Sequence, residues 1–277
     1  MVSEFISVEA MTRKVPRSLA MMKFREEERP YGIQIFGHDI QRMCDAAKMV
    51  QDAGADLVDI NCGCPAPKVV RKGGGCELMR QPEHLQKIFH EVRKVVSIPL
   101  TMKMRSGWDS NSVNALEIAK IAEGEGIEAI AIHARTRAQL YRGEADWEVV
   151  NKVAESVSIP VLGSGDVVCL DSSRQRLQGK IRGLFIGRGA LYNPYVFTEI
   201  DTGVKRDLKN EPLTVISIIE EFMQLLLEDF PEKACIGKVK QLVSQMCAGY
   251  AWKKDLCRAL TLTAQQNILT ALKSSYD

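Results

Sequence analysis

Leu57-Val58-Asp59-Ile60-Asn61 is a short, largely apolar run that ends on a polar residue, and Cys62-Gly63-Cys64-Pro65 turns the chain away from it. A run of this length bounded by turn residues reads as a buried strand of a parallel sheet. Working outward, similar runs recur at Gly32–Phe36, Pro99–Met104, Ala129–His133, Ile159–Gly163 and Gly183–Gly187. Helical patterns fill the intervals at Asp39–Ala53, Pro82–Val95, Val113–Glu125, Trp147–Val157 and Leu170–Gln178. Strand–helix alternation at this spacing means a parallel sheet, open or closed.

The choice between the two rests on where the polar residues fall. Gln34, Asn61, Lys103, Arg105, His133, Arg135, Asp166 and Arg188 sit at or just past the C-terminal ends of successive runs. An open doubly wound sheet gathers its ligand contacts at one crevice. A barrel carries its chemistry along the whole C-terminal rim. The expected fold is therefore α/β, a (β/α)8 TIM barrel. Six runs and a strand stub at Val2–Ile6 make seven strands, so the first βα unit is expected to be missing, with the chain beginning inside the second.

After residue 203 the pattern changes. Val215, Ile218, Ile219, Phe222, Leu225 and Leu226 open a helical periodicity that continues through Val239, Leu242, Val243 and Met246 to Ile268 and Leu272. The expected division is a barrel over 1–203 and a small all-helical domain over 204–277. From residue 233 to 276, Lys233, Lys238, Lys240, Lys253, Lys254, Arg258 and Lys273 face Asp255 alone. Such an excess suits phosphate contacts, and the solvated face of a helix bundle accounts for it equally well.

Bulk properties narrow the classes. The chain has 277 residues, 45% hydrophobic content and a formal net charge of +2, which argues against a purely electrostatic nucleic-acid binder. No apolar stretch approaches 18 residues, and the N-terminus lacks the pattern of a signal peptide, so no membrane association is expected. The eight cysteines are scattered without zinc-finger spacing. A reducing, cytoplasmic setting, a monomer and no metal are the expectations.

Cys64 is the candidate for chemistry. A thiol that stays protonated near pH 7 can give a proton to substrate carbon. A lone loop cysteine more often serves packing, but Asn61, Gly63 and Pro65 around this one favour the chemical reading.

With these residues in place, the chain resembles the tRNA-dihydrouridine synthase family, whose central motif is Asn-x-Gly-Cys-Pro followed by a basic loop. Further matches follow in order: Gln34-Ile35-Phe36-Gly37, Lys103-Met104-Arg105-Ser106-Gly107-Trp108, His133-Ala134-Arg135-Thr136-Arg137, Gly165-Asp166 and Ile186-Gly187-Arg188-Gly189-Ala190. The resemblance implies an FMN-dependent barrel that reduces uridine in tRNA to 5,6-dihydrouridine. Hydride would go from reduced FMN to C6 and a proton from Cys64 to C5, with NADPH (or NADH) re-reducing the flavin.

It also implies roles for individual residues. Gln34, Lys103 and His133 would meet the flavin ring, a lysine there stabilising the reduced anion. Ser164, Gly165, Asp166, Gly187 and Arg188 would bind its phosphate. Asn61, Arg105 and Arg135 would meet the uridine, and Lys68, Arg71 and Lys72 the tRNA backbone. Ser164 stands where the family usually has Asn, and Ala134 where it commonly has Gly. The family's Ala-Pro-Met loop after the first strand has no match here, so weaker flavin retention than in a full-length relative is expected. Two other readings stay open: a different FMN barrel of the dihydroorotate dehydrogenase kind, and an inactive RNA-binding remnant.

Overall fold

The computed structural model describes residues 1–276. Seven strands lie in one sheet in chain order: β1 (Ile6–Ser7), β2 (Gly32–Phe36), β3 (Leu57–Cys62), β4 (Leu100–Arg105), β5 (Ala129–His133), β6 (Val161–Ser164) and β7 (Gly183–Leu184). Every neighbouring pair is parallel. This is the βα succession of a TIM barrel, with seven strands and a helical C-terminal region.

Local sequence explains the elements. The helix Pro82–Val95 starts on a proline, which lacks only an N–H that would be unpaired there anyway. It buries Leu85, Ile88, Phe89 and Val92, one apolar stripe at helical spacing, each side chain contributing roughly 1.5–3 kcal/mol of burial. Asp39 caps the helix Ile40–Asp52 by accepting from the Arg42 amide, and Asp146 caps Trp147–Ser156 through the Glu148 amide. Trp147 lies under Gly163, where an added Cβ would come within 2.1 Å of the indole, so that strand position has room for glycine alone.

Some strand limits differ from the sequence reading. The stub expected at Val2–Ile6 pairs instead at Ile6–Ser7, while Val2 forms an isolated bridge to Gly32. The run Ile159–Gly163 pairs over Val161–Ser164, because Pro160 has no N–H for the ladder and only its carbonyl is used. The run from Gly183 ends its two-residue ladder with β6 at Leu184, and Arg188–Tyr192 is already helical.

Two compact units emerge. The first comprises Met1–Asp166 and Arg174–Phe185, and the second Val167–Ser173 with the chain from Ile186 onward. The 203/204 boundary read from periodicity thus falls inside the second unit. That unit holds its own core, in which Val215, Ile219 and Met223 of the helix Pro212–Asp229 join Val239, Val243 and Met246 of the helix Glu232–Met246. Among the described residues no helix is long and apolar enough to cross a membrane.

Candidate functional site

Strand register assembles the site in the first unit. Gln34 is opposite Asp59, Asp59 opposite Thr101, Asn61 opposite Lys103, and Arg105 opposite His133. Because side chains alternate along a strand, these residues share one face of the sheet. The sequence-predicted residues Gln34, Asn61, Lys103 and His133 therefore come together, along with Asp59 and Thr101.

The Cys64 turn is held from several sides. Asn61 Oδ1 accepts from the Cys64 amide at 2.9 Å and the Gly63 amide at 3.2 Å. Gly63 packs against β4 so closely that a Cβ would lie 3.2 Å from the Met104 carbonyl carbon. The Cys64 carbonyl accepts from the Cys76 amide at 3.1 Å. Cys64 is 8% exposed, and burial pushes its thiol pKa above the ordinary value of 9.0, against the pull of the Ala66 amide, Arg105 and Lys103. The raised value favours the protonated thiol at neutral pH.

Charge surrounds it. Lys103 stands with Nζ 5.4 Å from the centre of the Phe185 ring, and no hydrogen bond or ion pair engages that nitrogen among the described residues. Burial lowers its pKa, while the Asp59 carboxylate raises it. His133 is brought down to about 3, first by burial and then by Arg105, Lys103 and Arg135, so its imidazole is neutral. Gly165, at φ +120°, lies against it, with room for a Cβ only 3.1 Å from His133 Cδ2.

The two arginines expected at the substrate make mostly protein contacts. Arg105, 2% exposed, donates from Nε to the Gly63 carbonyl and from Nη1 to the carbonyls of Thr136 and Leu140. Arg135, 3% exposed, uses Nη2 for both Asp166 oxygens at 2.8 and 2.7 Å and for the Gly143 carbonyl. Its Nη1 is buried without a partner among the described residues. Asp166 adopts the left-handed conformation at φ +57° and also accepts from the Ala145 amide.

The remaining predicted residues divide between surfaces. Lys68, Arg71 and Lys72 are exposed around the short helix Pro67–Val70 that follows the Cys64 turn. Ser164 ends β6 in the first unit, whereas Gly187 and the exposed Arg188 belong to the second. Sequence reasoning missed Asp59 and Thr101, which looked like ordinary strand positions. It also missed Tyr141, whose exposed ring lies 6.2 Å from His133 and 5.6 Å from the Arg105 guanidinium carbon. An aromatic residue just past the histidine motif was the available signal. No group of three or more His, Cys, Asp or Glu residues is placed to hold a metal ion among the described residues.

Comparison with known proteins adds an independent line. Residues 1–275 match the family described as Dihydrouridine synthase (Dus). The chain is 42% identical over 202 residues to tRNA-dihydrouridine synthase B of Pseudomonas putida, covering 72% of this chain and 60% of that protein. It is 37% identical over 238 residues to the probable tRNA-dihydrouridine synthase of Rickettsia bellii, covering 84% of this chain and 73% of that protein. The match thus spans about three fifths of the length of the first of these relatives. Among solved structures, histamine dehydrogenase from Rhizobium sp. 4-9 superposes with a TM-score of 0.54 at 14% identity, over 73% of this chain and 41% of that one, a likeness of fold.

Proposed function

The chain belongs to the dihydrouridine synthase family, and from that premise we propose that it reduces uridine in tRNA to 5,6-dihydrouridine, with FMN as cofactor and NADPH as reductant. FMN held against Gln34, Lys103 and His133 would, in its reduced form, supply the hydride for uridine C6. The observation that carries the reading is the Cys64 turn, held through its amide by Asn61, which shares one sheet face with Lys103 and His133.

The residues fit an electron-rich ring ligand. Lys103 offers an ammonium without a hydrogen-bonding partner, in a setting where burial already disfavours its charge. An anionic ring edge beside it would relieve that penalty. Neutral His133 can offer one ring N–H to a carbonyl without adding charge. Gln34 keeps one Nε2 hydrogen after its contact with Asp59. The phosphate would fall to Ser164, Gly165 and Asp166, as proposed from the family motif.

Cys64 then gives its proton to C5, on a turn whose position Asn61 fixes. Asn61 and Arg105 retain N–H groups for uracil carbonyls, namely the second Asn61 Nδ2 hydrogen and Arg105 Nη2. Arg135 supports the rim through Asp166. A uridine in folded tRNA has to leave its stack to reach this rim. Lys68, Arg71 and Lys72 supply phosphate contacts beside it.

The test is the absorbance spectrum of the purified protein. A flavin spectrum bleached by NADPH and restored by unmodified tRNA, with dihydrouridine in the product, supports the proposal. Flavin that is reoxidised by orotate and not by tRNA would replace it with the dihydroorotate dehydrogenase type of reaction.

A further inference from the structure

A row of buried hydrogen bonds runs from β4 to the Cys64 turn, and its direction is fixed at both ends. Backbone amides only donate, so Asn61 has to present Oδ1 to Gly63 and Cys64. Its Nδ2 then faces Gln34 Oε1, at 2.6 Å. That turns Gln34 Nε2 toward Asp59, whose Oδ2 accepts from it at 2.5 Å. The other Asp59 oxygen accepts from Thr101 Oγ1 at 2.6 Å.

Each carboxamide in the row therefore has one permitted orientation. Gln34, Asp59 and Asn61 are 5%, 4% and 6% exposed, which leaves little access for water to replace a lost link. Reversing one amide would set donor against donor and acceptor against acceptor, and a buried group left unsatisfied costs more than an average hydrogen bond contributes. Asp59 is the acceptor on which the row ends. Its carboxylate is disfavoured by burial and supported by Thr101, Gln34 and the charge of Lys103.

We propose that Asp59 is a positioning residue, whose carboxylate oxygen sets the orientation of Gln34 and Asn61 and through them holds the Cys64 turn in place. Asp59 touches neither the thiol nor the turn itself. Its influence is carried by the two carboxamides. The importance of the turn rests on the reading of Cys64 as proton donor, but the mechanical link does not.

The experiment is iodoacetamide labelling of Cys64 in the purified chain, followed by peptide mass mapping, with buried Cys44 as the reference for general loosening. Asp59→Ala and Asn61→Ala are each expected to speed labelling of Cys64 about tenfold, the order set by losing one hydrogen bond that restrains the turn, with Cys44 unchanged. The double variant is expected to label no faster than either single one. Asp59→Asn is expected to stay near the wild-type rate, because its carboxamide oxygen can still accept from Gln34. Gln34→Leu cuts the row at its middle and carries the comparison where Asp59→Ala does not fold. The proposal is overturned if Asp59→Ala labels at the wild-type rate while Asn61→Ala is fast, if the two effects multiply, or if Asp59→Asn is as fast as Asp59→Ala. Failure of the wild-type protein to form dihydrouridine would overturn the functional reading and leave the labelling pattern as it is.

Discussion

The Cys76 amide donates to the Cys64 carbonyl at 3.1 Å, so the backbone beside one buried thiol anchors the turn that carries another. Gly75, between them in space, adopts φ +59°, and a Cβ there would fall 2.5 Å from the Cys64 oxygen. Burial pushes the Cys76 thiol up to about 12 and raises that of Cys64 as well, in both cases against the pull of Arg105 and Lys103.

Gly75→Ala tests that anchor. The left-handed conformation and the clash are together expected to cost on the order of 1–3 kcal/mol of stability. Urea unfolding measures the loss, and dihydrouridine formation should fall more than stability does because the turn itself must shift.

Cys64→Ala is expected to reduce the rate of dihydrouridine formation by about 10²–10⁴, the usual contribution of a positioned general acid. Reduction of bound flavin by NADPH should change little. Because burial raises the thiol pKa, the wild-type rate should hold through neutral pH and fall only above the ordinary thiol value of 9.0. Stopped-flow measurement of each half-reaction separates the two effects.

Lys103→Met removes the cation proposed to face the flavin ring while keeping the length of the side chain. Hydrogen bonds to charged groups are worth about 1.5–3 kcal/mol, so flavin affinity or the rate of its reduction should drop at least about tenfold. Equilibrium dialysis with FMN and anaerobic reduction by NADPH report the two quantities.

His133 should leave a signature in stability against pH. Its folded pKa is about 3, below the ordinary 6.5, so between those values the unfolded chain binds a proton that the native one does not. The contribution is fully present above pH 6.5 and is lost as pH falls toward 3. His133→Leu should show a flatter decline than wild type across that window in urea titrations, and the imidazole resonances of His133 in the wild type should not shift between pH 8 and about 5.

Lys68, Arg71 and Lys72 are proposed to meet tRNA phosphates. Replacing all three with alanine should lower the slope of log affinity against log salt by about two to three, since each contact contributes roughly 0.7–0.9. Filter binding at several salt concentrations would show it, and an unchanged slope would assign these residues to plain surface charge.

The central strands were legible because each is a short apolar run with a polar end, and β2 through β5 lie within a residue or so of where periodicity put them. The first strand was less so: only Ile6 and Ser7 form its ladder with β2, and Phe5 is exposed, so there was no buried run to read. The site was legible as residue types along the barrel rim. What those side chains hold was not. Arg105 and Arg135 find acceptors among backbone carbonyls, and a carbonyl looks the same in every residue of a sequence. Asp59 was passed over for a related reason, since its value lies in partners on β2 and β4 that only register brings opposite.

Arg105 spans carbonyls from the Cys64 turn and from the segment around Thr136 and Leu140. A planar guanidinium does this with donors fixed in one fork, which a lysine cannot reproduce. The rim is thereby preorganised: the conformational entropy of setting these loops is lost once, on folding, and need not be lost again on binding a ligand. Selectivity at such a rim comes from rejecting shapes that do not fit, not from closing around those that do.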